Sequence, residues 1–495
     1  MVLKIQKYIS PTYIILLCLF FWIYLWFNRN HYTIPNPDIF QYIYEGSHYL
    51  RGTFPPSIHA PPASPFFINL LATFLQSFPE PELLSAHILN ITTATANLAV
   101  IFFILRPLSS LLAYAVPFLL ATNKIYFLNS VNVTNEVIYS LFFSLVILFY
   151  QRKKYHLAYL IAGISFLIRY EAITLLLGLI IVDLYYKNPL HLIFRRSLLA
   201  LITILPWVFI LNAHSTGTNI IQNAYLVEIY NGLTNLPNWR PFITLNELII
   251  INPNYNFDFG PTFLYVFLFT ISFYLLKSTT QPSVRLAYIL ALLHLTFLII
   301  FPNFALRYLL PIIWVIYLVA INHYYRPLKY FFLGLTLTLN FYYLPQSLLN
   351  DTKHQGSEYR LVANWLNQQD FPSNIRILIY EPWIIDYFTS NPQVDFIYDQ
   401  QSSYNLTQHI NNCKRTMTCI ADKLAQDFSD SSILVITTAT SNKTLSFQDD
   451  HFTANLHSID IFQNFPNSVD SQEHFGLITT LDDGQNWAKI YLYFP

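Results

Sequence analysis

Apolar runs separated by short polar breaks fill the first two thirds of the chain, and the pattern changes near residue 347. The first run, YISPTYIILLCLFFWIYLWF (Tyr8–Phe27), follows Lys4 and Lys7. It is long enough to cross a bilayer and no small-residue cleavage site follows it, so it predicts a retained first span with a cytoplasmic N-terminus. Further runs lie at 83–105, 108–122, 126–150, 156–169, 171–186, 198–212, 261–276, 286–301, 305–322 and 329–346. With the first they predict about eleven spans. The run Pro61–Phe78 would reverse the topology of everything after it if it crossed. Its Pro-rich start and the trailing Glu80 and Glu82 place it instead as a helix on the outer face, inside a structured first outer loop covering 28–82.

Basic residues orient these spans. Lys4/Lys7, Arg106, Arg152/Lys153/Lys154, Lys187/Arg195/Arg196, Lys277/Arg285 and Arg326/Lys329 form clusters that read as cytoplasmic, with an even number of crossings between neighbours. The connections between them carry isolated basic residues and most of the acids, and an odd total puts the C-terminus outside. Beyond residue 347, Asn, Gln, Asp and Ser become frequent and no run could span. Ile375–Tyr380, Val394–Tyr398, Ser431–Thr438 and Ala488–Phe494 read as buried strands, and Tyr359–Gln368 has helical spacing. The predicted fold class is a polytopic α-helical membrane domain, residues 1–346, with an extracytoplasmic α/β domain, residues 347–495.

Composition agrees: 54% of the 495 residues are hydrophobic and 11% charged, about half the charged fraction of a soluble domain. The 27 basic and 27 acidic side chains cancel, so no global charge points to a nucleic-acid partner, and the information lies in where the charges sit. Cys413 and Cys419, in CKRTMTC, suit a disulfide outside the reducing cytosol, with a zinc pair as the alternative, while Cys18 lies in the first span.

Candidate chemistry gathers at the predicted outer face. In PNPDIFQYIYEGSHYLRG (Pro35–Gly52), Asp38, Gln41, Glu45 and His48 recur at helical spacing and share one face, opposite Phe40, Ile43, Tyr44 and Leu50. Asp38 is either a helix cap with solvated neighbours or a catalytic carboxylate; spacing leaves both open. Glu136 lies inside NSVNVTNEVIYSLFFSLVILFY, about two turns into a span from its outer end. Arg169 and Glu171 occupy the tip of a short hairpin, and Arg307 opens a span. Charge in or beside hydrocarbon is costly and normally faces a partner or a polar cavity. A carboxylate with arginines at membrane level suits sugar transfer from a lipid-linked phosphate, with the acid as general base and arginine holding the departing phosphate.

These features, in order, resemble the GT-C glycosyltransferase superfamily, especially its protein O-mannosyltransferase-like and aminoarabinose-transferase-like branch (glycosyltransferase family 39 relatives). The matching pieces are Asp38 through YLRG, HAPPASPFF (His59–Phe67), TNE (Thr134–Glu136), LIRYE (Leu167–Glu171) and RYLLP (Arg307–Pro311). The sequence departs where many relatives carry an acidic pair, since Asp38 stands between Pro37 and Ile39, and where the aminoarabinose branch has Glu-Lys-Pro-Pro, since His59-Ala60-Pro61-Pro62 stands there. The Trp-Trp-Asp signature of the oligosaccharyltransferase branch is missing, and EPWIIDYF (Glu381–Phe388) only echoes it.

The resemblance implies an inverting transferase that moves one sugar from a polyprenyl-phosphate donor to a protein, lipid or glycan acceptor, in contact with membrane lipid and with no nucleic acid. It implies Asp38 as base, Arg307 and Arg169 on the donor phosphate, and Glu45, His59, Glu136 and Glu171 as substrate contacts or supports for the arginines. No cofactor is obligatory on this reading; a divalent cation held by Asp38, Glu45, His48 and His59 is the alternative. The rival functions are a transporter or flippase of lipid-linked sugars, which would show internal repeats and charge near mid-membrane, and a noncatalytic scaffold displaying the C-terminal domain.

Overall fold

Pro11 does not break the first helix: in the computed structural model α1 runs from Val2 to Asn28. The structure describes residues 2–29, 36, 38–55, 61–214, 281–300, 306–321, 330, 333–338, 340–342, 357–371, 374–379, 382–396, 400, 401, 404, 405, 419, 422, 423, 426, 432–438, 474–484 and 486–493. Ile14, Phe21 and Leu25 of α1 are buried, whereas Ile15, Leu16, Leu19, Phe20 and Phe27 are exposed. A helix that is apolar on its packed and its open side is solvated by lipid.

Contacts divide the chain into two compact units, Met1–His31, Glu45–Thr53 and Ile58–Asn350 in one and Tyr32–Tyr44, Phe54–Ser57 and Asp351–Pro495 in the other. The boundary runs through α2, Asp38–Leu50. The first unit continues with α3 (Ala63–Ala72), α4 (Pro81–Leu105), α5 (Ser110–Ala121), α6 (Lys124–Val131), α7 (Asn135–Gln151), α8 (Tyr155–Phe166), α9 (Ile173–Tyr185), α10 (Leu190–His214), α11 (Pro282–Ile300) and α12 (Leu310–Ile321). Among the described residues, three helices (α1 from Pro11, α4, and α10 to Leu211) are long and apolar enough to cross a membrane, or four if α5 and α6, bent by 56°, form one broken span. The remaining predicted spans fall on shorter apolar helices or outside the described residues, as the 261–276 run does. At ten residues, α3 is about 15 Å long, half a bilayer core.

The 126–150 run is not one helix. It breaks at residues 132–134, where Val133 takes φ 55°, a left-handed conformation that a β-branched residue adopts only under constraint. Glu136 therefore sits in the first turn of α7 and not two turns into a span. Upstream, Asn123 caps α6 by accepting from the Tyr126 amide at 3.0 Å.

Helix packing in this unit is apolar, with α4 against α1, α5 and α7, α7 against α8 and α12, α8 against α10, and α9 against α11. Polar side chains fix the helices across the core. Asn97 donates to Tyr126 and to Ser140 at 3.2 and 2.9 Å, and Asn123 donates to Tyr317 at 2.9 Å; such bonds have no competing water in a bilayer. Near the other end of α7 from Glu136, the fully buried Asp183 accepts from Tyr150 and Tyr159 at 3.0 Å each, from Asn188 at 2.9 Å and from Arg196 at 2.7 Å. That knot joins α7, α8, α9 and α10, and its four donors mark it as structural.

In the second unit a five-stranded sheet has the order β2-β1-β5-β7-β6. Its strands are β1 (Ile375–Ile379), β2 (Val394–Phe396), β5 (Ser432–Thr438), β6 (Phe475–Asp482) and β7 (Trp487–Tyr493), and β3 (Gln400–Gln401) and β4 (Tyr404–Asn405) form a separate ribbon. β1 is parallel to β2 and β5, whereas β5–β7 and β7–β6 are antiparallel. The central β5 is buried at six consecutive positions, as a strand covered on both faces must be. The edge strand β6 carries an irregularity between Leu477 and Thr479, a common protection of a free edge. Helix α13 (Ser357–Gln368) packs on β6 and β7 and against α14 (Pro382–Phe388). The rings of α14 also receive the first half of α2: Phe40 lies 5.4 Å from Tyr387 and 5.6 Å from Phe388, and Tyr44 lies 4.7 Å from Trp383. Cys419 is disulfide-bonded and Cys18 is a free thiol; Cys413 lies outside the described residues.

Candidate active site

Helix α2 begins at Asp38, the first residue of its first turn. The Asp38 carboxylate accepts from Asn36 Nδ2 at 3.1 Å, and the Asp38 amide donates back to Asn36 Oδ1 at 3.4 Å. Seven residues on, Glu45 shares that face, about 10 Å further along the axis. Glu45 is fully buried and accepts from Tyr49 Oη at 3.4 Å. Burial, then the Glu45 carboxylate, then Tyr170 push the Tyr49 phenol well above its ordinary range, so Tyr49 acts as a neutral donor.

Packing explains the position of Glu45. A Cβ on neighbouring Gly46 would lie 2.1 Å from Pro65 O and 2.2 Å from Asn69 Nδ2; only glycine lets α2 approach α3 so closely. The helix ends in a turn in which Gly52 takes φ 70°, the usual left-handed exit. His48 belongs to that turn: its Nδ1 lies 3.2 Å from Thr53 Oγ1, and its carbonyl accepts from the Thr53 amide at 3.0 Å. Desolvation, reinforced by Arg51, lowers its pKa. His59 lies outside the described residues.

An ionic cluster stands in the first unit. Arg169 is extended at the tip between α8 and α9, followed by a 3-10 turn over Tyr170–Ala172. Its Nη1 donates to Glu136 Oε1 at 2.8 Å, its Nε donates to Glu171 Oε2 at 3.1 Å, and its Nη2 donates to Glu171 Oε1. Arg307, on the 3-10 turn Leu306–Leu309 before α12, brings its Nε to 3.2 Å from the same Glu136 Oε1. The side chains of Glu136 and Glu171 are 3% and 2% exposed and that of Arg169 11%, against 31% for Arg307. Both guanidiniums also face the Tyr308 ring, at 4.9 Å for Arg169 and 5.6 Å for Arg307. His294 of α11 steadies the turn through Nε2, 2.9 Å from the Tyr308 carbonyl.

The tip shared by Arg169 and Glu171 also serves a second group. Tyr170 Oη accepts from Trp207 Nε1 of α10 at 3.3 Å, and the Trp207 ring meets Tyr49 edge-on at 6.0 Å. A backbone bond from the Ala63 amide to the Leu167 carbonyl at 2.9 Å ties α3 to the start of the same tip. Within the first unit the fold thus assembles Glu136, Arg169, Glu171 and Arg307, and brings Glu45 beside Tyr49 with Tyr170 and Trp207 close by. Tyr170 and Tyr308 lie inside motifs quoted above without being singled out. Trp207 and His294 carry no signal, each being one residue in an apolar run. Among the described residues no group of three His, Cys, Asp or Glu side chains is placed to hold a metal ion.

No family model matches the chain, and no curated protein matches it in sequence. Solved structures match over nearly its whole length. ArnT from Cupriavidus metallidurans bound to undecaprenyl phosphate aligns with a TM-score of 0.59 at 11% identity, over 96% of this chain and 97% of its own. The apo state of the same protein gives 0.57 at the same identity and coverage. The apo oligosaccharyltransferase of Archaeoglobus fulgidus gives 0.61 at 11% identity, over 97% of this chain and 80% of its own. A helical domain followed by a C-terminal sheet domain, matched over nearly the whole chain, gives this protein the fold of these structures.

Proposed function

We propose that the protein is an inverting membrane glycosyltransferase that moves one sugar from a polyprenyl-phosphate-linked donor to an acceptor at the outer membrane face. The observation that carries this reading is the cluster around Arg307: a partly open guanidinium backed by buried charge, in a fold shared with a protein captured on undecaprenyl phosphate. Guanidinium pairs bidentately with phosphate oxygens and needs no proton to do so.

In this mechanism Asp38 takes the proton of the acceptor hydroxyl. The hydroxyl oxygen bonds to the anomeric carbon from the face opposite the phosphate, and the carbon–oxygen bond to phosphate breaks with its electron pair staying on the lipid phosphate. Arg307 stabilises that growing charge, and Arg169 with Glu171 holds Glu136 in place. The buried Glu45 carboxylate and the Tyr49, Tyr170 and Trp207 rings offer what a sugar needs, an acceptor for its hydroxyls and flat apolar faces for its C–H edges.

The test is consumption of a panel of polyprenyl-phosphate sugars by the purified protein in lipid, for wild type, Asp38→Asn and Arg307→Gln, with and without chelator. One donor is expected to be consumed, chelator to be without effect, and Asp38→Asn to lose roughly 10²–10⁴-fold in turnover while still binding donor. Movement of a lipid-linked sugar across the bilayer without turnover would instead establish a flippase. An effect of Asp38→Asn on stability alone would reduce Asp38 to a helix-terminal residue.

A further inference from the structure

The two arginines of the cluster are unequal, and the geometry points to Glu136 as a built-in stand-in for the lipid phosphate on Arg307, displaced when the lipid binds. This rests on the proposed function above and says how its phosphate site is kept ready. Arg169 is committed to the protein: it donates through three nitrogens to Glu136 and Glu171, and its side chain is only 11% exposed. Arg307 shares one oxygen with it, Glu136 Oε1, at the longer distance of 3.2 Å, and is 31% exposed. An incoming anion can reach Arg307 and not Arg169.

Among the described residues the charges are balanced as well: two arginines face two glutamates, which offsets the cost of a guanidinium at membrane level in the absence of lipid. When phosphate takes Arg307, Glu136 keeps its 2.8 Å bond to Arg169, and the Tyr308 ring, 5.6 Å from the Arg307 guanidinium, still holds the arginine in place. The competing carboxylate has a chemical consequence. A sugar donor carries a phosphodiester with one negative charge, whereas the released polyprenyl phosphate carries close to two. Glu136 repels the product more than the substrate and so favours its release.

The inference predicts a sign that a purely supporting role for Glu136 would reverse. Glu136→Gln keeps the shape and removes the competing charge, so undecaprenyl phosphate should bind on the order of tenfold tighter, the effect of one charge a few Å away at an effective dielectric near 20 after partial screening. In turnover the same variant should lower KM for donor, lower kcat and strengthen inhibition by undecaprenyl phosphate. Arg307→Gln should abolish that binding.

The experiment measures undecaprenyl phosphate binding to wild type, Glu136→Gln and Arg307→Gln in lipid nanodiscs, with inorganic phosphate as a second probe. Phenylglyoxal labelling of wild type accompanies it, read by peptide mass, and decides the matter even if a variant fails to fold. Support is tighter binding by Glu136→Gln, labelling of Arg307 but not Arg169, and protection of Arg307 by undecaprenyl phosphate. The inference is overturned if wild type binds the lipid while Glu136→Gln binds it equally or more weakly, or if bound lipid leaves Arg307 open to label. Protection by inorganic phosphate at equal concentration would overturn its assignment to a lipid. If no undecaprenyl phosphate binds wild type or either variant, the proposed donor class itself fails, a separate outcome.

Discussion

Replacing Arg169 by glutamine tests the ionic cluster most directly. Wild-type Arg169 satisfies two carboxylates whose side chains are 3% and 2% exposed. Without it, among the described residues, Glu136 keeps the nearby Arg307, whose Nε lies 3.2 Å from Glu136 Oε1 but whose side chain is 31% exposed, and Glu171 loses the guanidinium that it shares with Glu136. Breaking a buried ion pair by removing one partner costs about 3–5 kcal/mol, mostly the uncompensated charge left behind. Arg307→Gln should cost less, roughly 1 kcal/mol or below, because Arg169 still neutralises Glu136 and water screens the exposed position. Adding Glu171→Gln to Arg169→Gln removes the orphaned charge and should return more than half of the loss, a coupling expected only of side chains in direct contact. The assay is SDS-driven unfolding in mixed micelles, followed by tryptophan fluorescence for wild type, both single variants and the double variant. If Arg169→Gln matches wild type within about 0.5 kcal/mol, or the double variant is less stable than the single, the cluster does not hold the hairpin tip as described.

Three further outcomes are expected. Gly46→Ala should lose about 1–3 kcal/mol in the same assay, since the new Cβ would meet the Pro65 carbonyl at 2.1 Å; Gly334→Ala, with nothing within 4 Å in a helical stretch, should gain up to about 1 kcal/mol. His48 lies outside the spans and has a depressed pKa in the folded state, from desolvation first and Arg51 second. Its contribution is therefore complete above the unfolded value, near pH 6.5, and is lost as pH falls through the folded value. Unfolding profiles for wild type and His48→Gln between pH 7.5 and 5, on the order of the imidazole range, should converge at the acidic end; parallel profiles would show that His48 is not the group responsible.

Much of the architecture was legible. The strands Ile375–Ile379, Ser432–Thr438 and Trp487–Tyr493 and the helix Ser357–Gln368 fall within a residue or two of the predicted segments, because buried strands and an amphipathic helix write their period into the side chains. β6 was missed: Leu477 and Ile478 are exposed and the strand has mixed burial, so its edge position leaves no apolar signature. The break at Val133 was missed for a different reason, since no glycine or proline marks it and the strain is imposed by the surroundings. Of the candidate residues, Glu136, Arg169, Glu171 and Arg307 announced themselves as charges in apolar sequence, which bilayer energetics makes conspicuous. Tyr49, Tyr170 and Trp207 did not, being aromatics in a chain where 17% of residues are aromatic.

By itself, then, the sequence determined the apolar helical domain, the switch to an α/β domain and the small set of charges that had to find partners, because hydrophobicity and its period are local and the cost of bare charge in lipid is general. Tertiary structure alone decided how those charges pair. Glu136, Arg169 and Arg307 span 171 residues from first to last, and the sharing of one Glu136 oxygen by two arginines follows from where α7, the 169–171 tip and the turn before α12 come together. It also decided that Arg169 is enclosed and Arg307 open, a difference of packing that two identical side chains cannot record in their own sequence.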